Sequence, residues 1–365
     1  MKENKNHSFI KCFEIFVCVS IITFFGASCR RDSSSKAGQL TPENPLTQKI
    51  MNDEVHTFTA DLEKGQFVNL AVEQRDVDVI TKIFAPTGEL IGEFDTPTSG
   101  RGTEQIRLGT DAAGEYRIEI YTLSERTEPG EYKLSIADFH PLKTRDQKIL
   151  TAVKFHQEAD GLRSKPETCR DSIAVYEKAL AVWRELDEKA DEANTLRAMG
   201  FAYQRENELE KAKEHFGKAL EIWQQNNDLR SAAFTHIIFG VIAKKQNDLK
   251  GGLQEDLKAQ PLWEQANDLP EATQNLVRLG ADYVKLQNKD EALKYFAQAL
   301  ENTSRVEKKS VKAYVLMEYG KAHSAFGNKN EALNFYRQSL DLWKTLNNEK
   351  VVVDLEEKVT KLQTN

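Results

Sequence analysis

Between about residue 153 and 352 the sequence repeats itself every forty residues without slipping by one. An aromatic site reads Tyr176, Phe216, Phe296 and Tyr336, with Asp256 in the copy between Phe216 and Phe296. Three residues on, a small site reads Ala179, Ala219, Ala259, Ala299 and Ser339. A tryptophan site reads Trp183, Trp223, Trp263 and Trp343, with Thr303 as the exception. A glycine site reads Gly200, Gly240, Gly280 and Gly320, and twelve residues later come Ala212, Gly252, Ala292 and Ala332. A register held this long confines the chain to a stack of like units, each burying its apolar face against its neighbours.

Each copy reads as two amphipathic helices joined by a short turn. In the copy from Ala193 to Ala232 the first helix carries Leu196, Met199, Gly200 and Tyr203. A polar break follows at Asn207-Glu208, and the second helix carries Ala212, Phe216, Ala219, Leu220 and Trp223. Apolar residues three and four apart form one stripe per helix. Helices approach to about 8–10 Å only where the side chains at the crossing are small. A helical Gly costs roughly 1 kcal/mol relative to Ala, so four in register imply a packing need.

The order Leu196-x-x-Met199-Gly200-x-x-Tyr203, then Ala212-x-x-x-Phe216-x-x-Ala219, resembles the tetratricopeptide repeat. So does the copy with Leu279-Gly280, Tyr283, Ala292, Phe296 and Ala299. The period is forty rather than that family's usual ~34, which implies longer helices or turns. The copy with Gly251-Gly252, Asp256 and Gln260-Pro261 departs from the pattern, and Pro261 is expected to kink its helix. We therefore expect about five tetratricopeptide-like repeats over 144–349 and a capping helix and tail over 350–365.

Ahead of the repeats the period changes. From 47 to 139, apolar residues alternate in short runs such as Phe67-Val68-Asn69-Leu70-Ala71-Val72 and Val79-Ile80-Thr81-Lys82-Ile83-Phe84. Turn residues separate them at Lys64-Gly65, Pro86-Thr87-Gly88, Ala113-Gly114 and Pro129-Gly130. Some seven strands in this length predict an antiparallel β-sandwich. The strands opening Gly114-Glu115-Tyr116 and Gly130-Glu131-Tyr132 resemble the bacterial pre-peptidase C-terminal type of domain. The fold class is thus multidomain, all-β then all-α: a sandwich followed by an α-solenoid of helical hairpins. This order is similar to the N-terminal half of exported bacterial proteins that end in a caspase-like CHAT peptidase domain, of which this sequence carries no counterpart.

Residues 1–29 read as a targeting segment. Lys2, Lys5 and Lys11 precede an apolar run from Ile15 to Gly26, too short to span a bilayer comfortably, which takes about 20 residues. Gly26-Ala27-Ser28-Cys29 resembles a bacterial lipobox, in which the cysteine becomes the lipid-modified first residue. The family prefers Leu where this chain has Gly26, and an ordinary secretory signal or an uncleaved anchor are the alternatives. Each reading exports the protein, and a lipid or an uncleaved anchor would hold it at the cell envelope. Arg30 after Cys29, by resemblance to lipoprotein sorting, favours the periplasmic face of an outer membrane. Residues 30–46 are polar and contain Pro42 and Pro45, and read as a flexible tether.

Chemistry is sparse. Once Cys12 and Cys18 leave with the signal and Cys29 is acylated, one thiol, Cys169, remains. A nucleophilic cysteine needs an activating histidine, and His156 is its nearest candidate in sequence. The histidines fall singly, without the spacing of metal ligands. Asp76, Asp78, Asp95 and Asp111 are of the residue type that binds Ca²⁺, but read as solvated loop acids. No phosphate loop or nucleophile elbow occurs. We expect no enzyme, cofactor or metal. The net charge of −7 argues against nucleic acid, whose binders are usually basic.

In tetratricopeptide-like arrays the first helices line a concave groove. If the family register holds, groove residues include Asn194, Arg197, Phe201 and Arg205, then Phe234, Lys244 and Lys245, then Lys285, Tyr314 and Lys321. The cations predict a partner protein or peptide bearing acidic residues or a C-terminal carboxylate. The function expected is a non-catalytic adaptor at the envelope. The alternative is a regulatory half separated from a CHAT peptidase.

Overall fold

A computed structural model describes residues 35–52, 54–95, 101–122, 128–306 and 308–364. The targeting segment and Cys29 lie outside the described residues. The described chain forms an N-terminal region of two β-sheets and then eleven helices in a tetratricopeptide-like solenoid.

One sheet has the order β1-β3-β8-β5-β6 and the other β2-β9-β4-β7. The strands are β1 Ser35–Gln39, β2 Leu46–Ile50, β3 Val55–Leu62, β4 Gln66–Arg75, β5 Ile80–Phe84, β6 Leu90–Phe94, β7 Arg101–Gly109, β8 Gly114–Tyr121 and β9 Gly130–Pro141. β1 runs parallel to β3, and all other pairs are antiparallel. Alternate side chains point inward, and Phe58, Val68, Leu70, Val72, Ile106, Ile118 and Leu134 fill the space between the sheets. β1 and the Thr41–Asn44 bridge fall inside the segment read as a tether, so ordered structure begins before residue 47.

The shared Gly-Glu-Tyr strand openings have a packing cause. A Cβ on Gly130 would lie 2.3 Å from the Val77 Cβ, so that strand closes tightly on the preceding loop. Tyr116 and Tyr132 are buried, and each finds a partner for its hydroxyl. Tyr116 donates to the Ala112 carbonyl at 2.9 Å, and the Tyr132 hydroxyl lies 2.7 Å from His56 Nδ1.

The helices are α1 Thr144–Arg163, α2 Cys169–Leu186, α3 Lys189–Arg205, α4 Leu209–Gln225, α5 Leu229–Lys245, α6 Leu249–Gln265, α7 Leu269–Lys285, α8 Lys289–Asn302, α9 Lys309–Ala325, α10 Lys329–Thr345 and α11 Glu349–Thr364. They pair as the hairpins α1–α2, α3–α4, α5–α6, α7–α8 and α9–α10, with α11 packed on α10.

The forty-residue period is two units of twenty. Left-handed residues recur at Asp187, Asn207, Asn227, Asn247, Asn267, Gln287, Gly327 and Asn347, twenty residues apart save for one step of forty. Each ends a helix, because Asn, Asp and Gly tolerate this conformation best. The amide of the next residue then donates back to a carbonyl of the last turn, as Glu208 does to Tyr203 at 2.9 Å and Asp268 to Trp263 at 3.0 Å. That same residue opens the next helix, and Asp228 and Asp248 cap theirs by accepting from Ser231 and Gly251 amides. Helices of 17 residues with three-residue turns therefore account for a period longer than the family's.

The glycine site is where the two helices of a hairpin touch. A Cβ on Gly200, Gly280 or Gly320 would lie 2.6–2.7 Å from the ring of Phe216, Phe296 or Tyr336. Burying each such ring is worth about 1.5–3 kcal/mol, more than the helix loses to glycine. Where Thr303 replaces tryptophan, α8 stops three residues early, at Asn302. α6 is continuous through Pro261, and Asn275 Nδ2 of α7 donates to the Asp256 carbonyl and Gln260 Oε1, both at 2.9 Å.

Candidate functional site

The inner helices place the groove residues in two settings. On α3, Asn194, Arg197, Phe201 and Arg205 are all half-buried. Arg197 Nη2 donates to Asn194 Oδ1 at 3.0 Å, and Arg205 Nη1 to the Arg163 carbonyl at the end of α1, also 3.0 Å. Arg163 itself donates to Asp160 and Tyr176. Burial lowers the Arg197 pKa to about 10, the Asp228 and Asp160 carboxylates opposing the shift and the Arg163 charge adding to it. Arg163, Arg197 and Arg205 thus form a guanidinium cluster where α1 meets α3, in a chain of net charge −7. Phe201 stands edge-on to Phe216, with ring centroids 5.1 Å apart. Its neighbour Phe234 packs against buried Ala233 and Ile237.

Further along, the predicted cations are more engaged. Lys285 pairs with Asp282 at 3.2 Å and Lys321 with Glu318 at 2.6 Å. Lys245 is exposed and has no ion-pair partner among the described residues. Tyr314 is half-buried, and burial pushes its phenol pKa up. Lys244 turns inward. Its ammonium meets Asp256 Oδ2 at 2.5 Å and also pairs with Asp282, two carboxylates with almost no solvent exposure.

This buried cluster explains the departing copy. Asp256 takes the place of the aromatic ring, and a Cβ on Gly240 would come 2.7 Å from its carboxylate. Gly252 stands where the other copies have Ala, and a Cβ there would lie 2.5 Å from Lys244 Cγ. The missing methyl makes room for the lysine stem, and the lysine neutralises the aspartate. Arg278 adds a second cation 3.7 Å from Asp256. Burial raises the Asp256 pKa, against the pull of Arg278 and Lys244. The sequence carried the signal as three coupled changes, Asp256, Gly252 and Lys244, rather than as loss of a repeat.

The sandwich docks along the solenoid. Phe67 of β4 joins Ile149, Ala152, Ala179 and Trp183 in one apolar cluster. Arg107 of β7 reaches Asp191 at the start of α3, 2.8 Å away, and lies over the Trp183 ring. At the other end of β7, Arg101 pairs with Asp76 at 2.5 Å and approaches Asp268, at the start of α7, to 3.7 Å. Lys308, before α9, donates to the Asp76 carbonyl at 3.1 Å. Glu128 accepts from the Lys309 and Ser310 amides at 3.1 and 2.9 Å, and so caps α9 from another domain. Burial opposes ionisation of Asp76, but Arg101 and Lys308 overcome it and hold its carboxyl below the usual range. Burial and the Asp268 charge raise the neighbouring Glu271 pKa to about 7. None of these pairs was legible in sequence, because partners up to 232 residues apart share no pattern.

The residues considered for catalysis are placed elsewhere. Cys169 is fully buried, its Sγ 3.8 Å from the Ala202 carbonyl, and burial pushes its pKa up. His156 Nδ1 lies 3.0 Å from Thr195 Oγ1, and Asp160 lies 3.5 Å from Nε2. Asp76 is engaged by Arg101 and Lys308, and Asp95, an exposed residue near Asp160 and Glu93, has a raised pKa from desolvation and those charges. No helix among the described residues is long and apolar enough to cross a membrane.

No curated protein matches this chain. Solved structures similar to it include BtubC (BKLC) from P. vanneervenii, at 16% identity, covering 56% of this chain and 93% of that one, with a TM-score of 0.41. Aspartyl phosphate phosphatase F from Bacillus subtilis is similar at 14% identity, covering 60% and 61%, with a TM-score of 0.42. PilF from Pseudomonas aeruginosa is similar at 20% identity, covering 60% and 94%, with a TM-score of 0.38. The tetratricopeptide repeat family matches residues 168–225 and 271–345, and the gap between the two blocks holds Gly252, Asp256 and Pro261. The helical half of this chain carries tetratricopeptide repeats.

Proposed function

We propose that this protein is a non-catalytic adaptor, exported and held at the cell envelope, whose solenoid binds an acidic segment of a partner protein. The observation that carries the reading is the guanidinium cluster of Arg163, Arg197 and Arg205 on the inner side of α1 and α3. Guanidinium groups bind carboxylates through paired hydrogen bonds, and a partly desolvated site strengthens them. Phe201 and Phe234 beside it offer apolar contact to an extended peptide.

In this reading Cys29 is the lipid attachment point. Only five residues separate it from β1, six steps of chain that reach at most about 20 Å. The sandwich then sits close against the membrane, with the solenoid docked on it.

The test is crosslinked capture from envelope extract with the full chain, compared with Arg197→Glu combined with Arg205→Glu. A partner held by the first and lost from the second supports the reading. The same partners on both baits remove the guanidinium cluster from it. Lipid attachment is tested separately by metabolic labelling with an alkyne fatty acid, and label surviving Cys29→Ser refutes it.

A further inference from the structure

The sandwich carries a half-open strand edge beside an acidic cleft, and at the far end of that edge His140 meets Asp146 of α1, 3.6 Å away. β9 pairs with β4 along its whole length, from Glu131 opposite Arg75 to Pro141 opposite Gln66. On its other flank it pairs with β2 only as far as Leu134, which faces Leu46. From Ser135 to Pro141 no strand among the described residues covers that flank. The cause is in the sequence. Thr41-Pro42-Glu43-Asn44-Pro45 precedes β2, and two prolines without amide protons cannot extend it along β9.

The open flank borders a cleft of about 320 Å³. A bulge lies at Ala137, since Asn69 faces Asp138 while Leu70 faces Ile136. The extra residue puts Ile136 and Phe139, which a regular strand would send to opposite faces, into the same cleft. Phe139 is 45% exposed, one of the few large apolar side chains so displayed. Leu62 completes the apolar floor. Glu43, Asp61 and Glu63 form the rim, and no cation lines the cleft. Asp61 accepts from Gln39 at 2.7 Å, whereas Glu43 and Glu63 have no ion-pair partner among the described residues.

We propose that this edge binds an extended segment of a partner protein in which lysine or arginine alternates with apolar residues. The segment adds as a strand to Ser135–Pro141, its apolar side chains meet Ile136 and Phe139, and its cations meet Glu43 and Glu63. Strand addition supplies main-chain hydrogen bonds, and the floor and rim supply selectivity. Charge complementarity chooses the occupant: an acidic peptide would face uncompensated carboxylates. The proposal is independent of the solenoid's partner.

The test uses the full chain and a fluorescein-labelled peptide of eight residues alternating valine with lysine. A second peptide alternates valine with glutamate. Anisotropy should show binding of the lysine peptide and little of the glutamate one. Phe139→Ala, at an exposed position, should leave folding intact and weaken binding by about tenfold or more. Glu43→Lys with Glu63→Lys should reverse the preference between peptides. Hydrogen exchange should slow at Ser135–Pro141 when the lysine peptide binds.

Equal binding of both peptides overturns the proposal, as does binding unchanged by Phe139→Ala or protection confined to another segment. So does an absence of binding at about 1 mM. A concentration-dependent dimer abolished by Phe139→Ala would assign the edge to a second copy instead. Calcium binding lost in Glu43→Lys with Glu63→Lys, without peptide binding, would assign it to a cation.

Discussion

Lys244→Met tests whether the buried charges in α5–α7 are a compensated unit. Asp256 and Asp282 are 0% and 3% exposed at their side chains, and Lys244 contacts both. Removing the lysine leaves two carboxylates in one apolar neighbourhood with Arg278, 3.7 Å from Asp256, as the remaining cation close to Asp256. Breaking a buried pair in this way costs roughly 3–5 kcal/mol. For a unit the size of this solenoid that lowers Tm by about 2–4 °C per kcal/mol. The pH dependence carries a sign. Burial raises the folded Asp256 pKa above its unfolded value, so this group favours folding at low pH, and that contribution is lost as pH rises through the folded pKa. Without Lys244 the folded pKa should rise further, so the variant should lose more stability at pH 8 than at pH 5. Melting followed by tryptophan fluorescence reads both effects. The partner variant Lys244→Val with Gly252→Ala, Asp256→Phe and Asp282→Ala removes both carboxylates with the lysine and installs a ring like the Phe216 ring that Gly200 accommodates, and should melt near the wild type. A Lys244→Met protein that melts within a degree of the wild type at pH 8 would refute the reasoning.

Gly280→Ala should destabilise by about 1–3 kcal/mol through overpacking against Phe296, whereas Gly217→Ala, with nothing within 4 Å of the added methyl, should stabilise by up to about 1 kcal/mol in urea denaturation. Glu271, raised to about 7 from an ordinary carboxyl value, favours the folded arrangement below its unfolded pKa; that contribution fades as pH rises through about 7, and Glu271→Gln should flatten stability over that window. Glu128→Ala should remove the cap of α9 at a cost of about 1 kcal/mol and speed amide exchange at Lys309 and Ser310. The Cys169 thiol should resist a thiol reagent at pH 8 until the protein unfolds, and rapid labelling of the native chain would reopen a catalytic reading.

The solenoid was legible because its packing repeats. Gly200, Gly280 and Gly320 meet the rings of Phe216, Phe296 and Tyr336 by one contact made three times, and a repeated contact writes a repeated sequence. The twenty-residue spacing of the turns was equally present, in Asn207, Asn227, Asn247 and Asn267, yet the stronger aromatic signal masked it. The sandwich was legible as alternation, but β1 was not. A polar strand of five residues that pairs through its backbone with β3 leaves no apolar trace. At the guanidinium cluster, Arg197 and Arg205 followed from repeat position, while Arg163 did not, since the matching residues of the other copies are Tyr203, Ala243, Tyr283 and His323. Lys244 shows the limit of such reasoning. Its position is a groove position, but which way a lysine points depends on whether a carboxylate waits inside, and in sequence Asp256 shows only as a departure from the pattern.

The central claim is that the cluster of Arg163, Arg197 and Arg205 binds carboxylates of a peptide. The most direct measurement is calorimetric titration of the full chain with a glutamate-rich peptide ending in a free carboxylate, at low and at high salt. The account predicts binding that weakens with salt, and that falls by about tenfold or more in Arg197→Glu with Arg205→Glu. Binding of equal strength by the wild type and the double variant, or none to either, would contradict it.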